Sequence, residues 1–468
     1  MQTWQKIHIV GIEGAGTSAL AQLYVAAGHT VSGSDDGDGF YRAQLQSLGV
    51  TLFPDFDAAH VPADADTVMH STAFGEDNPE IARARELGLA VLSYPEAVAE
   101  LFNTSMGIAV CGTHGKTTTT AMTTALLAAC GKDPRAIVGS QIVGWRGNAR
   151  AGSGDVMVLE ADEYQNKLRY YAPFGVILTS IDYDHPDFFP TPDAYAQAFA
   201  DFVARIPKHG VLVAYGDDAD VRMVAQHAHC RVIFYGTRTD NDVVLEAIAT
   251  KTAPDAHGVP RPTTTFRLRT RDDAHAFTLH VPGAHNALNA AAALTMARHL
   301  GCADTDALAD ALAAFRGARR RFEIYGLYRG ALLLDDYAHH PAELRATLAA
   351  ARAAYPDRRI IAAFHPHTFT LTKALLTEFA QSFDDADRVL VLDIYGSARE
   401  THGGVTAQDL VTAINRIHPE RAQHIGTIEA LADYARENLT DRDLFLTLGA
   451  GDVYKALHML RSPQSSGV

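Results

Sequence analysis

The chain has 468 residues, which is enough for about three domains that each bury a core of their own. Apolar residues make up 47% of the chain and charged residues 20%, as is typical of soluble globular proteins. The formal net charge of -15 argues against broad binding to nucleic acids or anionic membranes, because no basic face is available for it.

From the sequence we predict neither a targeting signal nor a membrane span. The chain opens on a strand, without the basic segment, apolar segment and cleavage site of a secretory signal. No window approaches eighteen uninterrupted apolar residues, so we predict no membrane span. The four cysteines lack disulfide or metal-site spacing, and we interpret them as apolar fillers. They are Cys111, Cys130, Cys230 and Cys302. These features predict a cytoplasmic protein.

A Rossmann-like pattern opens the first domain. The strand Lys6 to Val10 runs into a turn that contains Gly14 and Gly16, and an apolar helix follows. The next strand ends at Ser34 and Asp35, where an acidic side chain can meet a ribose or a helix terminus. The glycine pattern is displaced by one residue, so it is weak evidence by itself. We predict that this domain ends at residue 105.

The segment from Val110 to Thr119 predicts a phosphate-binding loop. It lies between an apolar strand pattern and a buried helix pattern, which is the context that such a loop needs. Gly112 and Gly115 let backbone N–H groups approach a triphosphate at the helix N-terminus. Lys116 can reach the terminal phosphates, and the hydroxyl of the next residue, Thr117, can take one Mg²⁺ position. The alternative is a glycine turn before a core helix that has a surface lysine.

Two further strands of the central region deliver acidic residues at their carboxyl ends. Glu160 to Glu163 follow one strand, and Asp182 to His185 follow the next. In a parallel sheet these ends share the edge at which ligands bind. Carboxylates and a histidine beside a phosphate loop are suitable Mg²⁺ ligands, whereas either cluster taken alone could be a helix cap.

The pattern changes twice after the central strands. Short strands between residues 242 and 280 predict a small antiparallel insertion. A helix then opens with His285 and Asn286, and Asn286 by itself could be only its cap. Beyond Gly317 another alternation of strands and helices begins, with polar residues gathered at the ends of its strands. A zinc site there is disfavoured, because the candidate ligands lack zinc-ligand spacing, and we favour substrate contacts. These candidates are Asp336, His339, His340, His365 and His367.

These motifs, in this order, resemble those of the Mur ligase family along nearly the whole chain. The matching segments are Gly112 to Thr118, Glu160 to Glu163, Asp184-His185, His285-Asn286 with Asn289, Arg320 to Phe322, Asp335 to Pro341, Pro366 to Thr370 and Gly449 to Asp452. The resemblance implies an α/β protein of three domains. They are a Rossmann-like domain for a UDP-sugar (1–105), a central P-loop ATPase-type domain (106–318) and a Rossmann-like domain for the incoming amino acid (319–468).

The resemblance also implies an activity. The motifs are most similar to those of the family members that join L-alanine to the carboxylate of UDP-N-acetylmuramate. ATP would activate that carboxylate as an acyl phosphate, with Mg²⁺, in peptidoglycan precursor synthesis. Its partners would be small molecules, and the chain a monomer or homodimer. Three alternatives remain open. One is a recycling ligase that adds an intact tripeptide to the same nucleotide sugar. From other classes come an NAD-dependent dehydrogenase and a nucleotide-binding switch or scaffold without ligase chemistry.

Residue roles follow from the same resemblance. The implied catalytic residues are Lys116, His185 and His339. The implied Mg²⁺ ligands are Thr117, Glu163 and His185. The implied ATP site comprises Gly112, Thr113, His114, Gly115, Lys116, Thr117, Thr118, His285, Asn286, Asn289, Arg320 and Arg321. The implied substrate site comprises Gly14, Gly16, Ser34, Asp35 and Ser71 for the UDP-sugar, and Tyr337, His339 and His367 on the acceptor side.

The chain departs from the family's pattern at four places. Glu13 stands where the first loop usually has glycine, and Ser180 stands where asparagine is usual. The segment 164–167 differs from the Ser-Asp expected after the acidic motif. Leu371 replaces an arginine that would suit the carboxylate of free alanine. The tripeptide alternative is compatible with this last change, whereas the segment 395–400 resembles the alanine-adding members.

Overall fold

The computed structural model describes residues 4–37, 39–396 and 403–461, and it contains three α/β domains. Each domain is built on one sheet, and the strands of the three sheets lie within residues 6–93, 106–279 and 323–448. The predicted fold class is therefore confirmed, while the domain boundaries at 105 and 318 stay predictions. No helix in the described part of the chain is long and apolar enough to cross a membrane.

The first domain is a parallel sheet of five strands in the order β3-β2-β1-β4-β5. Its strands are β1 (Lys6–Val10), β2 (Thr30–Ser34), β3 (Thr51–Phe53), β4 (Thr67–His70) and β5 (Ala90–Ser93). Its helices are α1 (Ala15–Ala26), α2 (Arg42–Ser47), α3 (Pro79–Glu86) and α4 (Tyr94–Phe102). Because β1 is the central strand, the glycine turn that follows it opens at the middle of the carboxyl edge, where ligands bind in such sheets.

The central domain is a ten-stranded sheet in the order β15-β14-β13-β12-β11-β10-β6-β9-β7-β8. Its strands are β6 (Met106–Cys111), β7 (Arg135–Ile137), β8 (Ala149–Arg150), β9 (Val156–Glu160), β10 (Gly175–Leu178), β11 (Val211–Tyr215), β12 (Arg231–Gly236), β13 (Val243–Pro254), β14 (Pro260–Arg269) and β15 (Ala274–Leu279). Its helices are α5 (Lys116–Ala129), α6 (Pro192–Val203), α7 (Ala219–Ala225), α8 (Ala284–His299) and α9 (Thr305–Ala314).

Strand order in this sheet decides where the chemistry lies. β6, which carries the glycine loop, pairs in parallel with β9 on one side and with β10 on the other. The two acidic segments therefore end at the same edge as the loop, one on each side of it. The antiparallel insertion predicted between 242 and 280 is also present, as the ribbon of β13, β14 and β15.

The third domain is a six-stranded sheet in the order β16-β17-β21-β18-β19-β20, with only β16 antiparallel. Its strands are β16 (Glu323–Tyr328), β17 (Ala331–Asp336), β18 (Arg359–Phe364), β19 (Arg388–Leu392), β20 (Ala422–Gly426) and β21 (Asp443–Leu448). Its helices are α10 (Pro341–Ala354), α11 (Phe369–Ala374), α12 (Leu376–Ala380), α13 (Ala407–Ile417), α14 (Ile428–Asn438) and α15 (Lys455–Arg461).

Two of the cysteines are paired, contrary to the sequence prediction. Cys130 ends α5 and Cys302 follows α8; they form a disulfide whose Cα atoms are 5.7 Å apart. The partners are 172 positions apart along the chain, so no local spacing could reveal the pair. The interpretation as unpaired fillers is wrong for these two, whereas Cys111 and Cys230 are free. The cytoplasmic prediction loses the support that it drew from unpaired cysteines.

Candidate active site

The phosphate-binding loop follows β6 and is fixed against the end of β10. Gly112 has φ +120°, and a Cβ atom there would collide with Thr179 and with the backbone of Ser180. Gly115 has φ +77° and is the N-cap of α5. The Thr179 hydroxyl donates to the carbonyl of His114 at 2.6 Å. Only glycine fits both backbone positions without strain, and the loop is left open at the N-terminus of a 14-residue helix.

The Lys116 ammonium group lies among acceptors at the start of α5. Its Nζ donates to the carbonyl of Thr113 at 3.1 Å and lies 3.2 Å from Oε2 of Glu163. Burial alone would lower the pKa of Lys116, but the carboxylates of Glu163, Asp162 and Glu160 raise it above the ordinary lysine value. The group is therefore a fixed cation at the point where a terminal phosphate would lie.

Three side chains beside Lys116 form a candidate metal centre. Asp162, Glu163 and His185 each offer one ligand atom, and these atoms lie within 4.8 Å of one another. Within the described residues this is the one such group, so the histidines of the third domain form no metal cluster there. Burial would raise the pKa of Asp162, but the nearby ammonium groups of Lys167 and Lys116 hold it below the usual range. The carboxylate is therefore ionised, and ionised carboxylate oxygens are the hard ligands that Mg²⁺ prefers.

The Thr117 hydroxyl is engaged by a neighbouring carboxylate. It donates to Oε1 of Glu160 at 2.8 Å, and Oε2 of the same carboxylate accepts from the backbone N–H of Gly139 at 2.6 Å. Glu160 therefore braces the first turn of α5 against the strand β9. The role of Thr117 as a metal ligand stays a prediction.

A cavity of about 220 Å³ lies between the central and third domains. His285, Asn286 and Asn289 line it from α8, together with His114, Thr118 and Arg321. Burial, with a smaller effect from Arg321, lowers the pKa of His285 to about 4, so its imidazole is neutral at physiological pH. A neutral ring and two amides in a mostly apolar cavity suit a heteroaromatic base.

A larger cavity of about 870 Å³ adjoins the first and is lined by all three domains. The predicted residues that line it are Gly14, Gly16 and Ser71 from the first domain, Thr113, Gly115, Lys116, Thr117 and His185 from the central domain, and Arg321, Tyr337, His339 and His367 from the third. The UDP-sugar and acceptor sides of the prediction therefore face one space, with Lys116 between them.

Three predicted site residues are engaged elsewhere. The buried Ser34 hydroxyl hydrogen-bonds the carboxylate of Glu80, and Asp35 accepts from the backbone N–H of Glu13 at 2.9 Å. Arg320 pairs with Asp335 at 3.0 Å, and its guanidinium also donates to backbone carbonyls of the glycine segment 449–450. Of the two predicted arginines, the neighbouring Arg321 is thus the one that lines both cavities.

The departures from the family pattern have local explanations. The Glu13 carboxylate turns away from the larger cavity, accepts from the N–H of Gly39 at 2.6 Å and pairs with Arg42 at 2.7 Å. Ser180 uses its Oγ to accept from the N–H of His114 at 3.1 Å. An acidic side chain in the first loop therefore places no charge on the ligand side.

The other two departures alter the cavity wall itself. Lys167 lies 2.6 Å from Oδ2 of Asp162, so the altered segment adds a cation to the candidate metal centre. Leu371 is 5% exposed and packs in the third-domain core, although it also lines the larger cavity. Of the segment 395–400, residues 397–400 lie outside the described part of the chain.

Sequence reasoning missed several residues of the site. Glu160 and Asp162 were predicted only as members of an acidic cluster suited to Mg²⁺, without an individual role. Glu343 lines both cavities, and Asp182 lies 3.0 Å from Nε2 of His114. The only signal for Glu343 was its place three residues into a helix, which by itself indicates a cap.

Comparison with known proteins decides the family. Three family models match consecutive parts of the chain: Mur ligase family, catalytic domain (6–105), Mur ligase middle domain (110–297), and Mur ligase, glutamate ligase domain (320–451). The chain is 41% identical over 459 residues to the UDP-N-acetylmuramate–L-alanine ligase of Desulfitobacterium hafniense, covering 96% of this chain and 98% of that protein. The chain belongs to the Mur ligase family.

Other relatives agree with this membership. The UDP-N-acetylmuramate–L-alanine ligase of Oleidesulfovibrio alaskensis is 38% identical to this Mur ligase, with 96% of each chain covered. Among solved structures, the UDP-N-acetylmuramate–alanine ligase of Thermotoga maritima superposes with a TM-score of 0.80 at 26% identity, covering 97% of this chain and 98% of that one. A murein peptide ligase from Psychrobacter arcticus gives a TM-score of 0.72 at 25% identity, with the same coverage.

Proposed function

We propose that this Mur ligase uses ATP to join L-alanine to the carboxylate of UDP-N-acetylmuramate. The observation that carries the proposal is the larger cavity, which all three domains line. Lys116, Asp162 and His185 face it between the first and third domains, and Glu163 lies beside them. The high coverage of relatives named as L-alanine ligases supports the choice of substrates. A cytoplasmic setting, where ATP is available, is part of the proposal.

The chemistry requires activation before condensation. A carboxylate does not react with an amine in water until one of its oxygens becomes a good leaving group. Attack of the muramate carboxylate on the γ-phosphorus of ATP forms a C–O–P acyl phosphate and releases ADP. Lys116, held as a cation, stabilises the charge on the moving phosphoryl group, which is the main demand of phosphoryl transfer.

The second step takes place on the third-domain side of the same cavity. The neutral amine of alanine attacks the acyl carbon, phosphate leaves, and the amine loses a proton. Tyr337, His339 and His367 line the cavity there and are the proposed acceptor-side contacts. His339 is the proposed group that positions the amine or takes its proton, because an imidazole on this wall of the cavity can accept a hydrogen bond or a proton.

Mg²⁺ fits the donor set beside Lys116. Asp162, Glu163 and His185 would hold the ion, and it would neutralise charge on the phosphate oxygens when bound. Glu163 is itself held by the hydroxyl of Tyr195, which donates to Oε1 at 2.9 Å. This contact leaves Oε2 directed at Lys116 and keeps the carboxylate in a single orientation.

The adenine is proposed to occupy the smaller cavity, between α8 and the third domain. His285, Asn286 and Asn289 supply one neutral ring and two amides there, and Arg321 reaches from the other side. The guanidinium of Arg321 lies between the two cavities and suits the ribose or the phosphates. The base and the reacting phosphate are thus assigned to adjoining spaces.

The substrate assignment is tested by ATP-dependent phosphate release with defined acceptors. UDP-N-acetylmuramate would be supplied with L-alanine, L-serine, glycine or the tripeptide, at equal concentrations. We expect L-alanine to give the highest kcat/KM. Activity with the tripeptide alone would refute the proposal and favour the recycling ligase, which the relatives do not favour.

The dehydrogenase alternative has less support. It rests on the first glycine turn and on Asp35, whose carboxylate already accepts from the backbone of Glu13. It gives no role to Lys116 or to the acids beside it. A change of absorbance at the reduced-nicotinamide band during turnover would be needed to restore it.

A further inference from the structure

An acidic side chain stands where the two cavities meet. Four residues line both spaces: Gly115, Thr117, Arg321 and Glu343. The first two belong to the phosphate loop and the last two to the third domain. A carboxylate at this junction lies near the path of a triphosphate, where like charges repel. A carboxylate at this position is stable only if cationic groups nearby balance its charge.

Glu343 is surrounded by cationic and imidazole groups. Its Oε1 lies 3.4 Å from Nδ1 of His114 and 4.0 Å from Nη1 of Arg321, and its Oε2 lies 3.3 Å from Nδ1 of His339. Burial alone would raise the pKa of Glu343, but these three groups hold it well below the usual range. The carboxylate is therefore ionised, and part of its charge is directed at the phosphate loop.

His114 is the partner that crosses the domain boundary. It belongs to the loop after β6, and its backbone is fixed to β10 through Thr179 and Ser180. Its ring lies between Asp182 of the central domain, 3.0 Å from Nε2, and Glu343 of the third. A rigid loop residue is thus held from both sides by carboxylates on different domains.

The surroundings favour the charged form of this imidazole. Burial would lower the pKa of His114, but Asp182 and Glu343 raise it to about 9. Other titratable groups face the pair from both domains. The central domain contributes His285 of α8. The third domain contributes Arg321, Asp336, Tyr337, His339 and His340, whose ring lies 5.0 Å from the His114 ring. At neutral pH the contact is therefore an ion pair across the boundary between domains.

We propose that Glu343 is a positioning residue that latches the third domain onto the phosphate loop through His114. The latch holds the acceptor-side residues, such as His339, at a set distance from Lys116. The negative charge of Glu343 also balances the charges of Arg321 and His114 before the phosphate groups of a nucleotide bind beside them. The proposal deepens the ligase reaction proposed above and rests on it for its kinetic test.

Glu343→Gln is the most informative variant. Glutamine keeps an oxygen for the helix cap, in which the backbone N–H groups of His339 and His340 donate to the side chain of residue 343. It removes the charge that pairs with His114. We expect kcat/KM for L-alanine to fall about 10- to 100-fold, with KM for UDP-N-acetylmuramate changed less than twofold. A matched control is Asp409→Asn, at the equivalent capping position of α13, away from both cavities.

The pH dependence separates a latch from a simple cap. His114 pairs while protonated, so the wild-type contact persists below pH 9 and is lost as the pH rises through that value. In Glu343→Gln one of the two carboxylates is gone, so the alkaline limb of kcat/KM for L-alanine should move to lower pH. A profile that superposes on that of Asp409→Asn would overturn the proposal.

A titration without turnover keeps the latch testable apart from the ligase reaction. The His114 imidazole can be followed by NMR in the full-length protein without substrates, with His114→Gln to assign its signal. We expect it to stay protonated to about pH 9 in the wild type and to titrate at least one pH unit lower in Glu343→Gln. Equal titrations would refute the latch. Failure of the wild type to turn over L-alanine would refute the proposed function instead.

Discussion

Two glycine turns in this molecule share a backbone plan and differ in chemistry. The first follows β1, and the second follows β6; each joins a central parallel strand to a buried helix. Both turns line the larger cavity, through Gly14 and Gly16 in one and Gly115 and Lys116 in the other. Each therefore offers backbone N–H groups at a helix N-terminus to an anion in the same space.

The charges around the two turns are distributed differently. The first turn of α1 carries no acidic or basic residue, and Glu13 before it is paired with Arg42 outside the cavity. The second turn begins its helix with Lys116, which faces the carboxylates of Glu163 and Asp162. A glycine turn alone permits an anion to bind but does not require it. The lysine and the candidate metal ligands beside the second turn are the basis for proposing that the anion reacts there.

The largest expected effect comes from removing the cation of the second turn. Lys116→Ala should lower phosphate release by at least about 10²- to 10³-fold, because a preorganised charge at the moving phosphoryl group is lost. Circular dichroism should show the fold intact. Lys6→Ala, which removes a lysine from an exposed surface pair with Asp64, is the control and should be active. An unchanged rate in Lys116→Ala would contradict the proposal that the second turn, unlike the first, takes part in the reaction.

A second test addresses the metal centre beside that turn. Glu163→Gln should raise the Mg²⁺ concentration for half-maximal activity at least about 10-fold, since one hard anionic ligand is replaced by a neutral amide. Activity measured against MgCl₂ concentration gives the shift. Glu246→Gln, in the exposed pair with Arg269 on the insertion, should match the wild type. Identical Mg²⁺ curves for both variants would contradict the assignment.

A substitution in the first glycine turn should weaken the binding of UDP-N-acetylmuramate and leave kcat unchanged. Gly14→Ala adds a methyl group at the larger cavity, 3.0 Å from Oγ1 of Thr17. The backbone there, at φ -62° and ψ 150°, is one that alanine adopts freely. We expect KM for UDP-N-acetylmuramate to rise about 10-fold while kcat is unchanged, as for a loss of uniform binding. Gly37→Ala, where a Cβ has no neighbour within 4 Å, is the control. A fall in kcat alone would assign the first turn to the chemical step.

The smallest effect is expected at Glu13. Its carboxylate faces Gly39 and Arg42 rather than the ligand, so Glu13→Gln should change KM for UDP-N-acetylmuramate less than twofold. Loss of the ion pair should lower the free energy of unfolding by roughly 1 kcal/mol. Steady-state kinetics and urea unfolding measure the two quantities. A large decrease in KM would mean that the carboxylate repels the pyrophosphate in solution.

Much of this arrangement was predictable from local sequence. The order of strand, glycine turn and helix, the acids at strand ends and the antiparallel insertion each depend on residues within about ten positions of one another. The glycine loop with Lys116, and its proximity to Glu163 and His185, followed from such spacing and from the shared edge of a parallel sheet. Backbone conformation and periodicity are local properties, so the amino-acid sequence determined them.

The tertiary structure decided which side chains meet. Arg320 pairs with Asp335, whereas Arg321 lines both cavities, although the two arginines are adjacent in the sequence. The fold also placed Glu343 against His114, 229 positions away, and paired cysteines that sequence spacing had suggested were separate. Such contacts depend on strand order and domain packing, because residues far apart in the chain meet only when the whole molecule has folded.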